Sequence, residues 1–179
     1  MHVRRIVTGF DEKGRSCVVS DGPAPRTHDF VHIPGFSNTL VWSMQDVTAP
    51  RGTPADLSVT AESLLPGPGG SGMTVVRFPP SSVFASADVA AAEAEQRQAL
   101  PGLAHRFDPE RPGFHTTPTV DYVIVLDGEL WLELDHGPQT LLRKGDVVIQ
   151  NGTPHAWHNR TSQPAVLAAV SVGTHPVSD

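Results

Sequence analysis

The chain predicts an all-β protein, a sandwich or barrel of short strands. Two observations carry this. Glycine and proline are abundant, 16 and 17 of 179 residues, and cut the chain into short pieces. From residue 120 onward, six apolar segments follow one another with turn residues between them.

The bulk composition bounds the rest. Apolar residues are 39% and charged residues 18%, which is globular composition, and the length suits one domain with a real core. A net charge of −6 with no Lys/Arg cluster argues against nucleic acid as a partner. The single cysteine, Cys17, cannot form an internal disulfide and reads as a small strand residue. No apolar run approaches the roughly 18 residues of a membrane span. The basic start, Met1 to Ile6, has no apolar stretch after it, so no signal peptide is expected. The expectation is a cytoplasmic protein that meets no membrane.

The elements follow in order. Residues 3–19 read as a hairpin around the turn composition of Asp11-Glu12-Lys13-Gly14. Residues 20–26, with two prolines, read as loop. A short strand is expected at 39–44, and Pro/Gly-rich loops at 48–53 and 65–71. A stronger strand is expected at 73–78, ended by Pro79 and Pro80. Residues 85–100, rich in Ala, Glu and Gln, predict one helix stopped by Pro101-Gly102, with Ser86 or Asp88 as its cap. Its charges read as a solvated face, and the helix as a lid or as packing. Strands are then expected at 120–126, 129–134, 139–142, 146–150, 155–159 and 165–172. The division is an N-terminal strand extension, 1–70, and a barrel, 71–174.

Two blocks carry the chemistry. The first runs from Gly113 through His115, Thr117 and Asp121 to Gly128. The second runs from Gly145 through Gly152 and His155 to Asn159. Strand alternation puts His115, Thr117 and Asp121 on one face, with Tyr122, Ile124 and Leu126 on the other. His155 and Trp157 share a face, and His158 points away to the surface. If the strands neighbour each other in a barrel, His115, Asp121 and His155 converge. Two imidazoles and a carboxylate leave open coordination positions, an arrangement suited to Fe(II) and usable by zinc. Bland readings stand beside this one. Either histidine could be a wall residue hydrogen-bonded to Asp121 or Thr117, and Asp121 could orient a histidine. Thr117 reads as a hydrogen-bonding strand residue that lines the pocket. Trp131 and Trp157 could line it too, or be core. Phe114 and Tyr122 read as packing, His105 as surface or a closure over the mouth, and Asp146 and Asn159 as turn-fixing residues.

The blocks resemble the paired motifs of the cupin superfamily. In the first, Gly128 matches and His115 falls on the first histidine. Thr117 stands at the second histidine, and Asp121 at the glutamate. In the second, Gly145, Asp146, Gly152, His155 and Asn159 match, and Gln150 stands where proline is usual. The resemblance covers about residues 72–173. It implies a jelly-roll β-barrel with the site inside, commonly a homodimer, with the N-terminal strands packed on the barrel or swapped to a partner. It implies a small-molecule enzyme with His115, Asp121 and His155 as catalytic and metal-holding residues. The metal would be a divalent ion (Fe, Mn, Zn or Ni), with no organic cofactor. The substrate would be a small carbonyl- or carboxylate-bearing metabolite, and the reaction oxygenation, decarboxylation, isomerisation or dehydration. Many members lack the metal, and Thr117 and Asp121 both weaken the ligand set. Without metal, His155 or His115 would act as a general base oriented by Asp121. The alternatives are a metal-free ligand-binding protein without catalysis, and a structural dimer whose barrel is filled by side chains.

Overall fold

Strands form where the short apolar segments place them, in a computed structural model that describes residues 2–45 and 55–175. The loop expected at 48–53 lies outside the described residues. The chain opens with the predicted hairpin, β1 (Arg4–Phe10) and β2 (Ser16–Pro23), paired antiparallel. Its turn is fixed by Asp11, whose carboxylate accepts the backbone N–H groups of Lys13 and Arg15, both at 2.9 Å.

The segment expected to be loop at 20–26 is largely strand. β2 runs on to Pro23, and β3 (Arg26–Asp29) begins three residues later. Pairing with β1 on one side, and of β3 with β4 (Ser37–Met44) on the other, overrides the local proline signal. β4 then pairs with β5 (Ser71–Phe78). Both β3 and β4 are therefore hydrogen-bonded into the main sheet.

The predicted helix at 85–100 is two helices. α1 (Ser81–Ser86) ends at Ala87, whose extended backbone breaks the chain direction. α2 (Val89–Ala99) starts afresh with Asp88 as its cap, the side chain accepting the Ala91 N–H at 3.2 Å. The charges of α2 are not all solvated. Glu95 accepts the N–H groups of Val31 and His32 at 2.7 and 2.8 Å, and meets His28 Nε2 at 2.9 Å. Ala92 and Leu100 complete the docking, against Phe30, Ile33, Phe36, Leu40 and Leu64.

After a 3-10 turn at Ala104–Arg106 come β6 (Thr119–Asp127), β7 (Glu129–Leu134), β8 (Thr140–Arg143), β9 (Val147–Gln150), β10 (His155–His158) and β11 (Ala165–Gly173). Six strands form one sheet in the order β3-β4-β5-β11-β6-β9, and three form another in the order β10-β7-β8. The two sheets share a core. Val123 of β6 and Leu167 of β11 pack with Leu130 of β7, while Val125 packs with Leu132 and Leu142. This is the all-β architecture expected of a jelly roll. No described helix is long and apolar enough to cross a membrane.

Alternation along β6 is strict. Thr119, Asp121, Val123 and Val125 point inward, and Tyr122, Ile124 and Leu126 point out. Tyr122, expected to pack, is 48% exposed. On neighbouring β9, Val147 and Ile149 are exposed as well, so the outer face of this sheet edge is apolar. Further along the same sheet, Val41, Val75 and Ala168 are covered by Val3 of the N-terminal segment. Arg5 pins that segment. Its guanidinium donates to the Val41 carbonyl and Ser58 Oγ, each at 3.1 Å, and pairs with Asp56 at 2.5 Å.

Gly128 makes the β6–β7 turn possible. Its φ is +74°, and a Cβ there would stand 2.8 Å from the Pro164 carbonyl oxygen and 2.9 Å from Ala165 Cα. We predict that Gly128→Ala lowers unfolding stability by at least about 2 kcal/mol, from left-handed strain plus backbone displacement. Chemical denaturation measures this, and a change below about 0.5 kcal/mol would contradict the described turn.

Candidate functional site

The second block brings its histidine to the first block in two steps. Gly145 donates to the Val125 carbonyl at 2.9 Å, and Asp146 accepts the Arg143 N–H at 2.8 Å, which sets β9 against β6. The chain then turns at Gly152, φ +64°, where a Cβ would stand 3.1 Å from the Thr117 carbonyl oxygen. The turn thus lies directly on the backbone of the first block. His155 follows, and it meets His115. The two residues exchange both backbone hydrogen bonds, at 3.0 and 3.1 Å, in an isolated antiparallel bridge.

That bridge sets the side chains together. The imidazole centroids are 4.2 Å apart with planes at 51°. Phe107 packs on His115 at 4.9 Å, and Trp157 stands edge-on to His155 at 5.6 Å. Each ring is fixed by a backbone carbonyl two residues upstream. His115 Nδ1 lies 3.1 Å from the Gly113 oxygen, and His155 Nδ1 lies 2.9 Å from the Thr153 oxygen. A carbonyl only accepts, so both Nδ1 atoms carry the proton, and both Nε2 atoms present a lone pair. The readings in which a histidine bonds to Asp121 or Thr117 are thereby corrected. Thr117 instead accepts from Thr119 Oγ1 at 2.8 Å.

Both imidazoles are held neutral. Burial pushes the pKa of His115 down to about 4, with His155 adding to the shift and the Gly113 carbonyl opposing it. Burial also lowers the pKa of His155, against the Thr153 carbonyl and the charge of Asp121, which raise it. Asp121 is therefore close enough to act on His155. It is 8% exposed, and its Oδ1 has no hydrogen-bond partner among the described residues. A buried carboxylate oxygen left open is costly unless a ligand completes it.

These residues meet part of what a metal requires. A histidine that binds metal commonly donates its second N–H to a carbonyl or carboxylate, and both rings do so here. The third partner does not close the set. Among the described residues no group of three His, Cys, Asp or Glu side chains is placed to hold one ion. His115 and His155 are thus brought together directly, while Asp121 stands near His155 without joining a three-ligand cluster.

The remaining candidates separate by face. Trp157 packs against the buried cluster of Val125, Leu132 and Leu142 in the barrel core. Trp131 alternates with buried Leu130 and Leu132, and lies under the Arg160 guanidinium, 5.8 Å from its carbon. His158 is half-buried and bound to Glu133 at 2.7 Å. Phe114 is buried, and His105 is exposed. Asn159 fixes its turn as expected, donating to Phe78 and Gln163 carbonyls and accepting from Thr161. A surface cavity of about 640 Å³ lies elsewhere, between α2 and the 28–32 segment, lined by His28, His32, Glu95 and Arg97. Sequence reasoning missed Phe107 and Thr153, and noted Gln150 only for standing where proline is usual; the hydroxyl three residues after that amide was the signal that joins the two.

Residues 105–172 match the family described as the cupin domain. Over 176 residues the chain is 29% identical to Oryzines biosynthesis cluster protein J of Aspergillus oryzae, covering 98% of this chain and 85% of that protein. Over 47 residues it is 45% identical to the cupin-domain-containing oxidoreductase virC of Hypocrea virens, covering 26% of this chain and 24% of that protein. A solved double-stranded β-helix domain protein from Klebsiella pneumoniae is similar at 16% identity and TM-score 0.41, over 75% of this chain and 74% of its own.

The neutral histidines carry a pH signature. The unfolded chain binds a proton at each histidine near pH 6.5, whereas folded His115 binds it only near pH 4. The unfolded state therefore holds more protons in that window, and the contribution is present above pH 6.5 and lost as pH falls toward 4. The bound on this loss is about 3 kcal/mol for His115, reduced by the partial solvent access of its ring. NMR titration is expected to give His115 a midpoint below 5.5, and one near 6.5 would contradict the buried neutral pair.

Proposed function

We propose, from the premise that residues 105–172 form a cupin domain, that the chain is a small-molecule enzyme working at His115 and His155. The observation that carries this is the pair of Nε2 lone pairs left by the two Nδ1–carbonyl bonds, together with an Asp121 Oδ1 that has no partner among the described residues. Relatives named as a biosynthesis cluster protein and as a cupin-domain-containing oxidoreductase support a small metabolite as substrate. A carbonyl- or carboxylate-bearing compound is the class proposed.

The chain's own residues do the following. His155 Nε2 accepts a proton from the carbon or hydroxyl next to the substrate carbonyl, because its Nδ1–H is already committed to Thr153. Asp121 stabilises the imidazolium that forms, since its charge already favours protonation of His155. His115 stays neutral and accepts a hydrogen bond from the substrate. Phe107 and Trp157 keep water from the ring faces. A divalent ion bound at the two Nε2 atoms and Asp121 would add Lewis-acid activation of a substrate oxygen, of water or of dioxygen. The metal-free binding protein remains the second reading, favoured by the three side chains not closing as one set.

Elemental analysis of protein purified without chelator tests the first reading. We predict near-stoichiometric divalent metal that falls at least tenfold in His115→Ala and in His155→Ala, with folding retained. Metal-free protein whose stability is unchanged in both variants would sink it. The outer face of Tyr122, Ile124, Leu126, Val147 and Ile149 is proposed as the surface of a homodimer. Sedimentation is expected to show a dimer that Ile149→Glu dissociates, and a monomeric wild type would contradict it.

A further inference from the structure

Gln150 ends β9 with its side chain almost wholly inside, 2% exposed. It lies directly across from Asp121 in the β6–β9 pairing, on the same inward face. The near neighbour that needs a donor is Asp121 Oδ1. Gln150 does not supply one. Both N–H groups of its amide turn the other way, to the Thr153 carbonyl at 2.8 Å and the Thr153 hydroxyl at 2.6 Å. The same Thr153 carbonyl accepts Nδ1–H of His155 at 2.9 Å.

A carbonyl oxygen has two lone pairs, and here one takes the glutamine and the other the histidine. The two donors share one acceptor, so the gain is not in the strength of either bond but in the direction of the carbonyl, which is held from two sides. Thr153 sits just after Gly152, on the turn that rests against the backbone of Thr117. Without a second anchor, that carbonyl could rotate with the turn. We propose that Gln150 is a positioning residue for His155. It clamps Thr153 so that the carbonyl holds the Nδ1–H form of His155, and by facing Thr153 it leaves Asp121 Oδ1 without a donor from this neighbour. The proposal rests on His155 being the working base or ligand of the site.

The test reads the tautomer directly, in chelator-treated, nitrogen-15-labelled protein with no ligand present. Long-range proton–nitrogen correlation spectra distinguish Nδ1–H from Nε2–H imidazoles. Wild-type His155 is expected in the Nδ1–H form. In Gln150→Met, which keeps side-chain length and removes both donors, the ratio of Nδ1–H to Nε2–H at His155 is expected to fall about fivefold, the scale of one net hydrogen bond. His115 has its own carbonyl at Gly113, and its spectrum should not change. Thr153→Val removes only the hydroxyl anchor and should shift His155 in the same direction by less. It also decides the question if Gln150→Met does not fold. Thr153→Ser, keeping both acceptors, should retain the wild-type spectrum. An Nε2–H His155 in the wild type, an unmoved His155 in the variants, or an equal shift at His115 each overturns the proposal. These outcomes are independent of metal or ligand retention. Loss of metal on His155→Ala with an unmoved tautomer in Gln150→Met would reject the positioning role alone.

Discussion

The structure of the site depends on two backbone hydrogen bonds, exchanged between His115 and His155. They tie a segment that precedes β6 to the start of β10, which belongs to the other sheet. Everything chemical follows from that tie. It sets the imidazoles 4.2 Å apart, places Phe107 on one and Trp157 beside the other, and shields both from water. Shielding lowers their pKa values, and neutrality keeps two lone pairs available at pH 7. A pair of charged imidazoles at this separation would repel, so the packing and the protonation state support each other.

The unused atoms share one property. Both Nε2 lone pairs and Asp121 Oδ1 are acceptors, and the described neighbours supply no donor to Oδ1. Such a set favours a cation or a donor-bearing ligand over a bare anion. Thr117, buried next to the site, contributes a hydroxyl pair with Thr119 rather than a third imidazole.

Much of this was legible in the sequence. The alternation of β6 predicted which side chains enter the barrel, because one face of a half-buried strand must be apolar or committed. Gly128, Gly145 and Gly152 marked turns, since each adopts a φ that other residues resist. What strand alternation did not show was the element that carries His115. Its backbone is not part of β6, which begins at Thr119, and it reaches the site through its bridge to His155. The partners of the two imidazoles were also hidden, because backbone carbonyls at Gly113 and Thr153 carry no residue signature. β3 and the end of β2 were obscured by prolines whose local signal tertiary pairing overrides. The break at Ala87 was missed because alanine favours helix, and only the Asp88 cap gave it away.

The most direct measurement of the central claim is a crystal structure of chelator-free protein, with anomalous scattering at the edges of the first-row divalent metals. The His115–His155 arrangement predicts density within bonding distance of both Nε2 atoms, from a metal ion or from a ligand that donates to them, with both Nδ1 atoms on their backbone carbonyls. A barrel closed by side chains, with either Nε2 satisfied by a protein donor, would contradict it.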